Sequence, residues 1–198
     1  MDKKYLCCFE EEVFINEKTQ GYKNLCNFKN RPVDNEIYTK FYDCHLFRYL
    51  LNCKIEEKDK EKSITVILLN PSFADEYGLD RTLFNVKKFL KEQTNYSEFN
   101  VLNIFPIRTP NSKNLTEKMR KYKKLQEKNN EFIKKVISES NDVLIAWGSK
   151  YHKNAKWILD LLKDKAVYTY CINKDGSPRH FSPQAYNNAV KSFKRYTF

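Results

Sequence analysis

The chain has 198 residues, 41% hydrophobic and 15% aromatic, with four glycines and six prolines, a composition that fits one globular domain and excludes a long flexible linker. Its 36 Lys and Arg against 25 Asp and Glu give a formal net charge of +11, which favours polyanionic partners, nucleic acid first, although Lys- and Asn-rich usage also follows from an AT-rich genome. The start MDKKYLCCFEEEVF has no apolar run of signal-peptide length, and nowhere do 18 apolar residues occur together, so a cytoplasmic protein with no membrane partner is expected.

The first 35 residues mix aromatics and charges around the turn-like NEKTQGYKN and predict one or two strands. From 44 to 54, CHLFRYLLNCK reads as a strand. After the charged connector IEEKDKEKS, ITVILLN reads as another, and the two are expected to form a hairpin. That apolar run ends on Asn70 and Pro71 in ILLNPSFA. Pro has no backbone donor and Asn tolerates turns, which explains the stop; an Asn there can equally aim its amide into a site beyond the strand.

Downstream, DRTLFNVKKFLKEQ places Leu83, Val86 and Leu90 on one helical face, with Asp80 or Thr82 as N-cap. FNVLNIFPI is a second core strand and RTPNSKNL a loop. Residues 118 to 140 form a long basic helix with Leu125, Phe132 and Val136 on one face and Asn129 filling the i+4 place. Then come the strand DVLIAWG, a helix from about 151 to 163, the strand AVYTYCI, and a loop leading to a C-terminal helix over about 183 to 195.

This alternation predicts a single α/β domain over 1–198, a three-layer sandwich around a central, mainly parallel four-stranded sheet. Residues 1–62 supply an N-terminal β extension and hairpin, and 63–198 the core. In such sheets ligands sit beyond the carboxyl ends of the strands, which nominates Asn70, Asn103, Trp147 with Gly148, and the loop NKDGSPRHFSP. The six cysteines, Cys7, Cys8, Cys26, Cys44, Cys53 and Cys171, show no CxxC pair and no zinc-ligand spacing, so free thiols and no metal are expected.

Two resemblances bear on these strand ends. Asn70-Pro71 in LLNPS, Asn103 in NVLNIF, the strand closing on WG in VLIAWGSKYHKNAKWI and the loop HFSP at 180 to 183 resemble, in content and order over about 63 to 190, motifs of the uracil-DNA glycosylase superfamily. More closely, LLNPSFADEYGLDRT, LNIFPIRTP, AWG and KDGSPRHFSP resemble a bacterial and phage family known as domain of unknown function 1643, which has no settled activity. Phe181 stands where the glycosylase loop has Pro, and the DRT segment and Arg108 have no counterpart in ordinary uracil excision.

The superfamily resemblance implies a uracil-DNA glycosylase-like fold and a DNA N-glycosylase that excises a base, modified or not, without a cofactor, acting as a monomer on single-stranded DNA or on a base flipped from a duplex. Breaking that bond leaves positive charge on the sugar and negative charge on the base. His180 would donate to the base oxygen, Asn103 would read the pyrimidine edge, and Asn70 would orient a water, with Asp75 or Asp80 to activate it. Phe73 or Phe84 would stack the base, Arg108 would suit a larger or more polar one, and Ser72, Ser182, Lys150, Lys174 and Arg179 would hold the DNA backbone. The alternatives are a non-catalytic nucleic-acid- or protein-binding module of this fold, or an N-glycosidase of free nucleosides or nucleotides.

Overall fold

A computed structural model describes residues 43–44 (backbone only), 47–55, 62–72, 74 and 79–198. The strands expected in the first 35 residues, together with Cys7, Cys8, Cys26, Phe73 and Asp75, lie outside these. Cys171 is a free thiol. Among the described residues no helix is long and apolar enough to cross a membrane.

The centre is a six-stranded, mostly parallel sheet with helices on both faces. In chain order the strands are β1 (Asp43–Cys44), β2 (Phe47–Arg48), β3 (Leu51–Lys54), β4 (Ser63–Leu68), β5 (Glu98–Asn103), β6 (Asp142–Ile145), β7 (Ala166–Thr169) and β8 (Lys194–Arg195). β1 and β2 form a two-stranded sheet, with Phe47 of β2 also bridging Ile107, and the large sheet runs β3-β5-β4-β6-β7-β8. The four strands read from the sequence, β4 to β7, are its parallel centre, and the antiparallel β3 and β8 add the edges.

β4 is central because Ile64, Val66 and Leu68 bury one face while Ile67 buries the other, the double-sided apolar run a parallel strand needs. The helix after it, α1 (Arg81–Gln93), lies on the first face through Leu83, Val86, Phe89 and Leu90. Next come α2 (Leu115–Arg120) and α3 (Lys123–Glu139), then α4 (Lys156–Leu161), preceded by a single 3-10 turn at His152–Ala155. α3 and α4 cover the second face together with Ile67, Leu102 and Ile145. α5 (Pro183–Asn187) closes the first face with Tyr186 and the neighbouring Phe181.

Four expectations need correction. β3 does not form a hairpin with β4, because β5 lies between them: Leu51 registers with Val101, and Val66 with Val101 from the other side. A buried strand such as β4 takes two parallel partners, and β3 is left at the edge. The long basic helix is two helices, and the buried face of α3 is Leu125, Asn129, Ile133 and Ile137, with Phe132 and Val136 only partly buried. Asn129 tolerates this position because its Nδ2 donates to the carbonyls of Asn103 (2.9 Å) and Ile104 (3.2 Å) at the end of β5. The C-terminal helix stops at Asn187: Phe193 stacks on Tyr168 at 4.3 Å between ring centroids, and the tail continues as β8 against β7.

From β4 the chain moves one way to β5 and then returns past β4 to β6. The sheet therefore changes direction between β4 and β6, and the carboxyl ends of those two strands open a crevice.

Candidate functional site

A cleft of about 390 Å³ occupies that crevice, within the range of small-molecule sites. Its walls come from the ends of all four parallel strands. Leu68, Leu69, Asn70 and Ser72 follow β4, Thr109 and Ser112 follow β5, Trp147 to Lys150 follow β6, and His180 with Ser182 follow β7. Asp80, Thr82 and Leu83, at the start of α1, complete one side, and Arg48 of β2 another.

The Asn-Pro turn is fixed by its neighbour loop. The Asn70 amide nitrogen donates to the carbonyls of Pro71 (2.9 Å) and Thr109 (2.8 Å), and the Thr109 backbone N–H returns a bond to Pro71 O (2.9 Å). Two carbonyls facing one amide group settle which end is nitrogen. Oδ1 is the atom Asn70 has left for a ligand, and it can only accept.

His180 is oriented from its own loop. The backbone N–H of Ser182 donates to its Nδ1 at 3.0 Å, so the neutral ring carries its proton on Nε2. Burial lowers the His180 pKa below the usual histidine value, opposed by the negative charge of Asp80. The ring is thus held as a neutral Nε2–H donor. Asp80 itself caps α1, one carboxylate oxygen accepting from the Leu83 N–H at 2.9 Å.

Gly148 lets the β6 and β7 ends approach. Its φ of +82° suits glycine, and a Cβ built there would stand 3.4 Å from the His180 Cβ. The two loops are laced by polar bonds: Gly148 N to Pro178 O (2.9 Å), Ser149 Oγ with Ser177 Oγ (2.9 Å), and Asn173 Nδ2 to both hydroxyls. Ser177 Oγ donates to Asp175 Oδ1 at 2.6 Å, and this bond foremost holds the Asp175 carboxyl below its ordinary pKa. Tyr170 Oη donates to His180 O (2.8 Å), fixing the other side of the histidine.

Of the nominated residues, Asn70, Asp80, His180, Ser72, Ser182 and Lys150 meet in the cleft. Others do not line it. Arg108 donates from Nε to Ser72 O at 3.4 Å, a brace on the loop after Asn70. Phe84 is 60% exposed on the outer side of α1. Lys174 is exposed in the loop beyond Asn173, and the backbone N–H of Arg179 donates to Cys171 O at 2.9 Å. Asn103 is fully buried in β5, in register with the cleft-lining Leu68, and neither side-chain amide atom has a hydrogen-bond partner among the described residues.

Arg48 is the residue that the sequence reading missed. It is 1% exposed yet lines the cleft, with Nη1 donating to Ala74 O at 2.6 Å. The signal was a lone Arg inside the apolar stretch HLFRYLL, since a buried guanidinium needs partners of its own.

Residues 48–181 match the model of a protein family described as protein of unknown function, DUF1643. The chain belongs to the DUF1643 family. The matched span begins at Arg48 and ends at Phe181, and so takes in every strand end that walls the cleft except Ser182. No curated protein and no solved structure matches this DUF1643 chain.

Proposed function

We propose that the cleft is the active site of a DNA N-glycosylase that hydrolyses the bond between a base, modified or not, and its sugar. The observation that carries this reading is the neutral His180, whose tautomer is set by Ser182 N–H so that Nε2–H is the donor, in one cleft with the acceptor Oδ1 of Asn70.

In this reaction the C1′–N bond breaks and its electron pair leaves with the base, while positive charge builds on the sugar. The Nε2–H of His180 donates to the base oxygen that takes up the negative charge, a contact whose loss typically costs about 2.7–4 kcal/mol. Oδ1 of Asn70 accepts a hydrogen from the attacking water and aims its oxygen at C1′. The Asp80 carboxylate, one oxygen tied to the Leu83 N–H, stabilises the sugar cation and takes the proton the water releases. Ser182 and Lys150, at the cleft wall, suit the phosphates on either side of the nucleotide.

Reading of the base edge by Asn103 belongs to the same proposal. A buried amide without partners costs about 1–3 kcal/mol. Asn103 accepts that cost one strand away from Leu68 in the cleft wall, which favours a role for it toward a ligand over one in the core alone.

The test is incubation of single-stranded and duplex oligonucleotides carrying uracil or modified pyrimidines, followed by alkaline cleavage at abasic sites. Product that falls about a hundredfold or more in His180→Ala is expected. No abasic product from any such substrate would refute the proposal.

A further inference from the structure

We infer that the outer face of α1 is a track for single-stranded DNA leading away from the cleft, with Phe84 as a stacking platform for the base next to the one in the cleft. This rests on the reading of the cleft as a nucleotide site.

α1 buries Leu83, Val86, Phe89 and Leu90, which is enough to dock it on the sheet. Phe84 takes no part in that core. At 60% exposure it is the largest apolar side chain that the described part of the helix turns outward. Arg81 and Lys88 are also exposed and stand at i−3 and i+4 from Phe84, so a cation, an aromatic ring and a second cation share one face. From Arg81 to Lys88 the row is about 10 Å long.

The row starts at the cleft. Asp80, Thr82 and Leu83, the immediate neighbours of Arg81 and Phe84, line it. A strand that places one nucleotide in the cleft therefore passes over the start of α1, where Phe84 offers a ring to the next base and Arg81 and Lys88 face the phosphates. Glu92 pairs with Lys88 at 3.8 Å, both roughly half exposed, and a phosphate competes readily with so solvated a pair. The pattern of spaced cations around one exposed ring is how single strands are held without sequence readout. A protein partner would leave the two cations without their complement.

The experiment is fluorescence anisotropy of a labelled single-stranded DNA oligonucleotide with the full chain over a range of salt concentrations. Phe84→Ala, which removes no buried contact, should weaken binding by about tenfold or more. Arg81→Ala combined with Lys88→Ala should make the slope of log affinity against log salt shallower by about 1.4. Lys123→Ala with Lys128→Ala, on exposed positions of α3, should leave both quantities unchanged. Equal effects from the α3 pair, wild-type affinity in Phe84→Ala, or no oligonucleotide binding by the wild type would each overturn the inference. Base release is scored separately. Phe84-dependent binding without any base release refutes only the hydrolytic reading, and base release with Phe84-independent binding refutes only the track.

Discussion

Replacing Asn70 by Asp keeps the size of the side chain, removes the two protons that the amide gives to Pro71 O and Thr109 O at 2.9 and 2.8 Å, and adds a negative charge at neutral pH. Each bond contributes about 1 kcal/mol net. Asn70→Ala loses both, and Pro71 O keeps the Thr109 N–H as a partner, so the expected cost is about 2 kcal/mol, or about 4–8 °C in Tm for a chain of this size. Asn70→Asp should melt lower still, because at neutral pH a carboxylate oxygen would face two carbonyl oxygens at hydrogen-bond distance. Those carbonyls favour the protonated acid, which raises its pKa above the usual value of about 3.9. The deficit is therefore present at neutral pH and shrinks as pH falls through the raised pKa, where the acid regains one O–H donor. Thermal denaturation followed by circular dichroism between about pH 4 and 7 reads both effects. If Asn70→Asp melts with the wild type at neutral pH, the amide is turned the other way. Oδ1 is then not the acceptor offered to the cleft, and the water-orienting role fails with it.

Other outcomes follow from the same geometry. Gly148→Ala forces a side chain onto a φ of +82° and should lower Tm by about 2–8 °C, while leaving base release near wild type because the new Cβ meets the His180 Cβ at 3.4 Å without overlap; Gly148→Val should lose release beyond its loss of stability. The His180 pKa is depressed on folding, so the unfolded chain takes up the proton first. Stability is full above the ordinary histidine pKa of about 6.5 and is lost as pH falls from there through the lower folded value, a slope that His180→Gln should flatten in pH-dependent denaturant titrations. Asn103→Leu removes two buried polar atoms without partners and should hold or raise Tm while abolishing discrimination between bases; a large loss of stability would show that the amide has a structural partner.

The parallel centre of the sheet was legible because a strand buried on two faces must be almost wholly apolar, as VLIA is and as ITVIL is apart from Thr65, whose hydroxyl pairs with Ser140 Oγ. The nomination of the strand ends rested on the alternation of strands and helices and a single rule about such ends, and Asn70 and His180 line one cleft there together with Asp80. Pairing was not legible. Nothing local in LLNCK says that its partner is β5 and not the nearer β4, since that choice is made by which strand needs two neighbours. The same limit hid the contribution of Arg48, whose meaning depends on a cleft walled by segments more than a hundred residues further on. Phe84 was read as a base platform inside the site; helical spacing had already put Leu83, Val86 and Leu90 on the inward face and left Phe84 off it, and the structure turns Phe84 outward.

The stretches that carry the family resemblance supply both residues that line the cleft and the contacts that hold them. In LNPS and RTP, Asn70, Ser72 and Thr109 line it, while the bonds among Asn70, Pro71 and Thr109 and the Arg108 to Ser72 contact fix the turn that aims Asn70. In AWG and GSPRHF, Trp147, Gly148 and His180 line it, and Gly148, Ser177 and the Ser182 N–H decide how near the ring stands and which nitrogen bears the proton. A ligand site that only had to exclude water would not need a donor and an acceptor fixed by separate sets of backbone bonds. Fixing both before a ligand arrives removes reorganisation from the step in which charge develops, which is the condition under which such groups accelerate a reaction and do not merely bind. For that reason the stapled pair Asn70 and His180, more than the net charge of +11, is the feature that argues for an enzyme.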